Sequence, residues 1–367
     1  MNRSPFLTPD RSRLRRERAA RRRRMRRLMT FAAMVAAVAA AAAAVMLTGG
    51  GHSPTHGLHT TAADAATGRP APSGTAARTL SPAGLPLARP ALALAGLTAP
   101  QQSYPVQIAF RSPPREGLLF NLTTGKVLWA LNPLARVPIA SLTKMMTALL
   151  TVKSAAPDTP VLITHEAVNA DGSKVGVLPL GRHVRLESLL YGLLLPSGND
   201  AAVALAEHVA GTVNKFVARM NAEAAQLGMG CTRYSSPSGY FDAHNFSCAA
   251  DLALLAHVDM EQPRIASVVR TYQAAIPFPI KGGKLYLSNN NPLLIYGYPG
   301  VTGMKTGYTE AAGRCLVATA ERDGVRLGAI VLDSNAPGTQ DSQLLNRGFH
   351  DVYHLPEIAQ TPLPPGA

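Results

Sequence analysis

The chain has 367 residues, with 36 Lys and Arg against 22 Asp and Glu and a formal charge of +14, enough length for one large domain or two small ones. Residues 1–27 hold twelve Arg against Asp10 and Glu17, a local charge of +10, so the other 340 residues carry +4. The basicity is an arm and not a face, which excludes a nucleic-acid-binding surface on the folded part, and three cysteines, an odd number, exclude a complete disulfide framework.

Directly after the arm, Leu28 to Leu47 contains no charge and only Thr30 as a polar residue, the span length of a bilayer core. An Arg cluster before such a span keeps its own side in the cytoplasm, so everything after Leu47 is expected outside. The expectation is a single-pass anchor in the cell membrane carrying an extracytoplasmic domain. A cleaved signal segment and a secreted product are the alternative, although Ala63-Asp64-Ala65 lies far downstream for a cleavage site. Arg26-Arg27 resembles a twin-arginine pair, but the residues after it fit that signal poorly.

Residues 48–104 are dominated by Gly, Ala, Pro, Ser and Thr without a sustained period, and predict a flexible linker. The folded domain is expected over residues 105–355. The tail, 356–367, with Pro362, Pro364 and Pro365, is too short and Pro-rich to add structure.

The domain opens with apolar runs at Gly117 to Asn121 and Lys126 to Asn132 joined by Thr123-Thr124-Gly125, which predict a β-hairpin. Helices are predicted at Ser141 to Ser154, Leu186 to Leu195, Asp200 to Ala210 and Val213 to Leu227, the last two stopped by Gly211 and Gly228. A Gly-rich strand follows at Gly300 to Gly307. Gly313 to Ala320 and Val325 to Asp333 then form a second hairpin around Arg322-Asp323-Gly324. A last helix, about Asp341 to His350, is expected to pack back on the sheet.

Strands at both ends and helices between them predict an α+β fold, an antiparallel sheet built from both termini of the domain, flanked by helices and carrying a helical insertion. The junction of sheet and insertion is a natural cleft. Cys231 and Cys248 could pair across a short loop or remain thiols, and Cys315, in an apolar run, reads as a buried core residue.

Leu142, Met145, Met146 and Leu149 make a core-facing stripe on the helix beginning at Ser141. Ser141 and Lys144, three apart, lie on one edge of it, where the amine can reach the hydroxyl. A serine becomes nucleophilic when a neighbouring base takes its proton, and a desolvated lysine can hold the neutral amine this requires. Ser141 is also placed in the first helical turn, where backbone N–H groups favour developing negative charge.

Alone, S-x-x-K describes many solvated helix rims. A second pattern stands at Ser197-Gly198-Asn199 between two helices, where Asn199 or Asp200 could simply be an N-cap. A third is Lys305-Thr306-Gly307 on the Gly-rich strand, where Gly307 marks a bulge or a close backbone approach. In this order, and on a helix start, a turn and a sheet edge, the three together are specific.

They resemble the three motifs of penicillin-binding proteins and serine β-lactamases. The stretches Pro138 to Thr147, Pro196 to Ala201 and Gly303 to Thr309 narrow the resemblance to the low-molecular-mass D-alanyl-D-alanine carboxypeptidases, serine peptidase family S11. The similarity covers about Gly117 to Phe349, including Met220-Asn221 and Leu227-Gly228-Met229. It implies Ser141 as the acylated nucleophile, Lys144 as the proton acceptor and Ser197 as the relay to the leaving D-alanine. Asn199 would hold the substrate amide, and Lys305 with Thr306 the terminal carboxylate. The oxyanion hole would be the N–H groups of Ser141 and Tyr308, with Gly307 letting the substrate strand approach. The implied partners are the D-Ala-D-Ala terminus of a peptidoglycan stem peptide, β-lactam antibiotics and the membrane, without nucleic acid, cofactor or metal.

Family members commonly carry a second, β-rich domain and a C-terminal amphipathic anchor; the expectation is that neither is present here and that the N-terminal span takes the anchor's place. Tyr240 follows Gly239 where the family often has Leu. A class A β-lactamase would need a glutamate about 35 residues after the second motif, and Leu227 to Tyr240 contains no acidic residue. A D,D-endopeptidase would use the same residues, and a non-catalytic penicillin-sensing module would keep the fold. A metalloprotease is excluded, since His165-Glu166 opens an H-E-x-x-H pattern whose second histidine is Asn169.

Overall fold

The computed structural model describes residues 92–240 and 244–358. The expected basic arm, the apolar segment 28–47, the linker as far as residue 91 and the tail from residue 359 lie outside the described residues. Among the described residues no helix is long and apolar enough to cross a membrane.

Strands β1 (Glu116–Asn121) and β2 (Val127–Leu131) form the first hairpin. Its turn is closed by Asn121, whose Oδ1 accepts the N–H groups of Thr123 (3.0 Å) and Thr124 (2.8 Å), the local bond that makes Asn a turn residue. A short β3 (Val137–Pro138) leads through a 3₁₀ turn, Ala140–Thr143, into α1 (Lys144–Ser154). The insertion follows as β4 (Pro160–Leu162), α2 (His165–Asn169), β5 (His183–Arg185), α3 (Leu186–Leu194), α4 (Asn199–Ala210) and α5 (Val213–Gln226). After β6 (Phe246–Ser247), helices α6 (Ala249–Met260) and α7 (Pro263–Val269) return toward the sheet. A hairpin of β7 (Gln273–Pro277) and β8 (Lys284–Ser288) and a one-turn α8 (Pro292–Ile295) precede the closing strands. These are β9 (Val301–Thr309), β10 (Gly313–Arg322) and β11 (Val325–Ser334), followed by α9 (Pro337–Arg347) and a π turn, Gly348–Val352.

The five long strands pair antiparallel in the order β2-β1-β11-β10-β9. The first and last strands of the domain are thereby neighbours, as the pattern of elements predicts, and β9 is an outer strand. Alternation along β11 shows what covers each face. Ile330 and Leu332 join the cluster shared with α1, α3, α4 and α6, whereas Leu327, Ala329 and Val331 pack with Leu344 and Leu345 of α9 and with Phe349. Each fully buried aliphatic side chain contributes about 1.5–3 kcal/mol by leaving water, so the sheet is held from both sides while the edge at β9 stays accessible.

Four expectations are corrected. Residues 92–104 are not free linker: Ala95 bridges Lys126, and Leu92 and Tyr104 are buried in the core. The α-helix starts at Lys144 and not Ser141, which lies in the preceding 3₁₀ turn. Neither Asn199 nor Asp200 caps α4, whose N-cap is Gly198; both are buried and bonded to the loop at 171–176. The last helix begins at Pro337, four residues early, because a proline at the first helical position has no N–H to leave unsatisfied. Helix α6 is buried almost all round, so it carries no apolar stripe to read.

The open question of the cysteines is resolved: Cys231 and Cys248 are joined, with Cα atoms 5.7 Å apart, and Cys315 is buried. The disulfide closes the loop running from the end of α5 to the start of α6.

Candidate active site

Between β9, the 3₁₀ turn before α1 and the loop before α4 lies a cleft of about 390 Å³. Ser141, Ser197, Thr306, Gly307 and Tyr308 line it, together with Ser173 and Arg314. Three segments remote in sequence are thus brought to one surface. Lys144 and Lys305 are buried, 0% and 1% exposed, and Asn199 lines a neighbouring cavity instead of this cleft.

Lys144 Nζ lies 2.9 Å from Ser141 Oγ and donates to the Ser238 carbonyl at 2.9 Å. Burial holds its pKa well below the usual lysine value; the charge of Lys305 lowers it further, and Asp200 opposes both. A neutral amine has two N–H groups and one lone pair. With Ser238 accepting one hydrogen, the lone pair is available to the Ser141 hydroxyl, the arrangement a general base needs.

The Ser238 carbonyl is itself held against α1. Thr147 Oγ1 donates to Pro237 O (2.7 Å), Asn245 Nδ2 to Thr143 Oγ1 (2.9 Å) and Gly239 N to Ser236 Oγ (2.9 Å). Gly239 has φ +74°, and a Cβ there would lie 1.9 Å from Ala140 O, so no other residue allows the loop this close to the turn carrying Ser141.

Ser197 is buried with φ +65°, and its Oγ has no hydrogen-bond partner among the described residues. A non-glycine residue in the left-handed region is costly, and strain of this kind concentrates at functional sites. Asn199 donates from Nδ2 to Asp171 O (2.5 Å) and from its backbone to Ser173 O (2.7 Å). Asp200 accepts the N–H groups of Val175 and Gly176, both at 2.9 Å. The second motif thus fastens the loop that forms one lip of the cleft.

Lys305 Nζ donates to Thr306 O at 2.9 Å, and burial lowers its pKa to about 7. A Cβ on Gly307 would meet Ile139 O at 2.9 Å, Ser141 N at 3.2 Å and Ala140 Cβ at 3.3 Å. The glycine admits the turn that carries Ser141 against β9. Tyr308 is 64% exposed at the cleft. Among the described residues, no carboxylate lines this cleft.

Sequence reasoning misses four contributors. The Ser238 carbonyl has no local signature, because a backbone acceptor can be any residue, and Asn245 has none because its side chain bonds to Thr143, 102 residues away. Asp200, beside the second motif, and Arg314, just past the third, were within reach of a search for charges flanking the motifs.

The family profile described as D-alanyl-D-alanine carboxypeptidase matches residues 111–336. The D-alanyl-D-alanine carboxypeptidase DacF of Bacillus subtilis is 33% identical over 63% of this chain and 60% of its own length, so the chain spans under two thirds of that relative. A protein named D-alanyl-D-alanine endopeptidase from Pseudomonas aeruginosa is 34% identical over 66% of this chain and 78% of its own. Among solved structures, a single-residue variant of a Streptomyces DD-transpeptidase superposes with a TM-score of 0.61 at 30% identity, covering 66% of this chain and 99% of that one. The D-alanyl-D-alanine carboxypeptidase of Mycobacterium tuberculosis gives 0.62 at 31% identity, covering 70% and 97%. With three motifs on one cleft, a profile matching more than half of the sequence and the same fold in both structures, the chain belongs to the D-alanyl-D-alanine carboxypeptidase family of serine peptidases.

Proposed function

We propose that the chain is a serine D,D-carboxypeptidase that removes the terminal D-alanine from peptidoglycan stem peptides. The observation that carries this reading is the buried Lys144 amine 2.9 Å from Ser141 Oγ, with its pKa lowered by burial. Lys144 takes the hydroxyl proton as Ser141 Oγ bonds to the penultimate D-alanine carbonyl carbon. The oxyanion forms against the N–H groups of Ser141 and Tyr308. Ser197, whose Oγ has no other partner among the described residues, relays the proton to the leaving amine as the C–N bond breaks. Asn199 holds the substrate amide, while Lys305 and Thr306 face the carboxylate end. Water, activated by the same amine, then hydrolyses the ester.

A β-lactam would acylate Ser141 by the same steps. With no carboxylate lining the cleft among the described residues to activate water, release of that adduct is expected to be slow and the protein to be inhibited by penicillins. Endopeptidase action on D,D cross-links is a second reading, favoured by the relative that bears that name.

The same proposal places the domain outside the cell membrane on the apolar segment Leu28 to Leu47. The disulfide between Cys231 and Cys248 supports an oxidising compartment. N-terminal sequencing of the protein from the membrane fraction tests the anchor: a mature chain starting after Leu47 overturns it.

For the activity, the full-length chain in detergent is expected to release D-alanine from a peptide ending in D-Ala-D-Ala and to be labelled at Ser141 by a fluorescent penicillin. Labelling without any D-alanine release would leave a penicillin-binding sensor. Labelling that survives Ser141→Ala would remove Ser141 as nucleophile.

A further inference from the structure

Lys305 is 1% exposed, and its Nζ is already engaged with the Thr306 carbonyl. It can lend positive potential to the cleft, but it presents almost no surface to a ligand. A peptide carboxylate arriving at Thr306 therefore needs a donor that stands in the cleft.

Arg314 meets that requirement. It pairs directly with Tyr308 across β9 and β10, and Leu316 pairs with Thr306. Opposed residues of an antiparallel pair share a face, and diagonal neighbours lie roughly 7–8 Å apart, within reach of a long side chain. Thr306 and Arg314 are such a diagonal pair, and both line the cleft with Ser141. Among the described residues Arg314 forms no ion pair; its guanidinium donates one hydrogen bond, to Asn335 O at 3.1 Å. A guanidinium has five N–H groups in a planar fork suited to a carboxylate, so most of them are unspent.

We infer that Arg314 is the cleft-side cation that receives the C-terminal carboxylate of the peptide, beside the Thr306 hydroxyl and with Lys305 behind. This rests on the carboxypeptidase reading and adds a specificity residue to it: the free carboxylate of the last D-alanine is what Arg314 selects for.

The test compares the full-length chain with Arg314→Ala and Arg314→Lys on a D-Ala-D-Ala peptide and on its C-terminal amide. The ratio of kcat/KM, acid over amide, is expected to fall roughly 10- to 100-fold in Arg314→Ala, the worth of one charge-assisted hydrogen bond, and to recover in part in Arg314→Lys. A ratio within about threefold of wild type overturns the inference, and the ratio is insensitive to a variant that merely folds less well. Acylation rates with benzylpenicillin and its methyl ester give the same comparison without peptide turnover. If no D-alanine is released by any protein but the penicillin ratio falls in Arg314→Ala, the carboxylate role stands and the peptidase reading falls. If that ratio also holds, Arg314 has no such role.

Discussion

Lys144 and Ser238 are bonded amine to carbonyl at 2.9 Å across a separation of 94 residues, and this bond aims the amine at Ser141. Every group that alters the charge or the position of that amine therefore has a foreseeable effect on acylation.

The first concerns pH. Under the proposed mechanism Lys144 acts only when neutral, so kcat/KM should fall as pH drops through its lowered pKa. Lys305 is one cause of that lowering, so Lys305→Met should move the acid limb to higher pH. In the wild type the alkaline side should also decline from about pH 7, where Lys305 loses its proton, toward the plateau that the inferred role of Arg314 would sustain. A pH–rate profile of penicillin acylation reads both limbs. An acid limb that does not move in Lys305→Met would show that the two lysines are not coupled as argued.

Asp200 acts on the same amine with opposite sign and also ties Val175 and Gly176 to α4. Asp200→Asn should shift the acid limb to lower pH. It should also loosen the lip loop, losing bonds to a charged acceptor worth about 1.5–3 kcal/mol each. Expected are a lower Tm and a KM raised more than kcat is lowered. An unchanged Tm would mean the loop does not depend on this carboxylate.

The disulfide predicts a redox dependence. Its loop carries Ser238, and closing a loop of this length is worth about 3 kcal/mol in the chain-entropy account, equivalent to roughly 6–10 °C in a domain of this size. Reduction should lower Tm by that order and slow acylation, and Cys248→Ser should reproduce both and respond no further to reductant. If reduction lowers Tm but leaves acylation untouched, the loop holds Ser238 without the bridge.

How much of this was legible follows from which interactions are local. The hairpin at Thr123-Thr124-Gly125 and the stops at Gly211 and Gly228 are set by neighbours in sequence, and each stands where its residues predict. The fold class follows from the order of those elements. Lys144 beside Ser141 was legible for the same reason, three residues apart on one chain segment. The Ser238 carbonyl was not, because its place depends on Thr147, Asn245 and a glycine fitting against Ala140, contacts between segments with no shared period. Helix α6 escaped because burial on all sides erases the stripe by which a helix is recognised.

Gly307 gives the sharpest test of the site as a packed object. In the third motif its lack of a side chain lets β9 lie against the turn 139–141, with a Cβ position only 3.2 Å from Ser141 N. Gly307→Ala forces β9 and the turn apart by a few tenths of an ångström, since the obstructing atoms at Ile139 and Ser141 are backbone and cannot swing aside. Overpacking of this kind costs about 1–3 kcal/mol, which a domain with two buried sheet faces tolerates, so the variant should fold with a modestly lower Tm. The N–H groups of Ser141 and Tyr308 would shift relative to each other, and under the proposed mechanism losing one oxyanion donor costs roughly 100- to 1000-fold. The expected result is a folded protein whose acylation by penicillin is slowed by that order while its affinity before acylation changes little. Acylation at the wild-type rate in a folded Gly307→Ala protein would show that the two backbones do not form a shared oxyanion site.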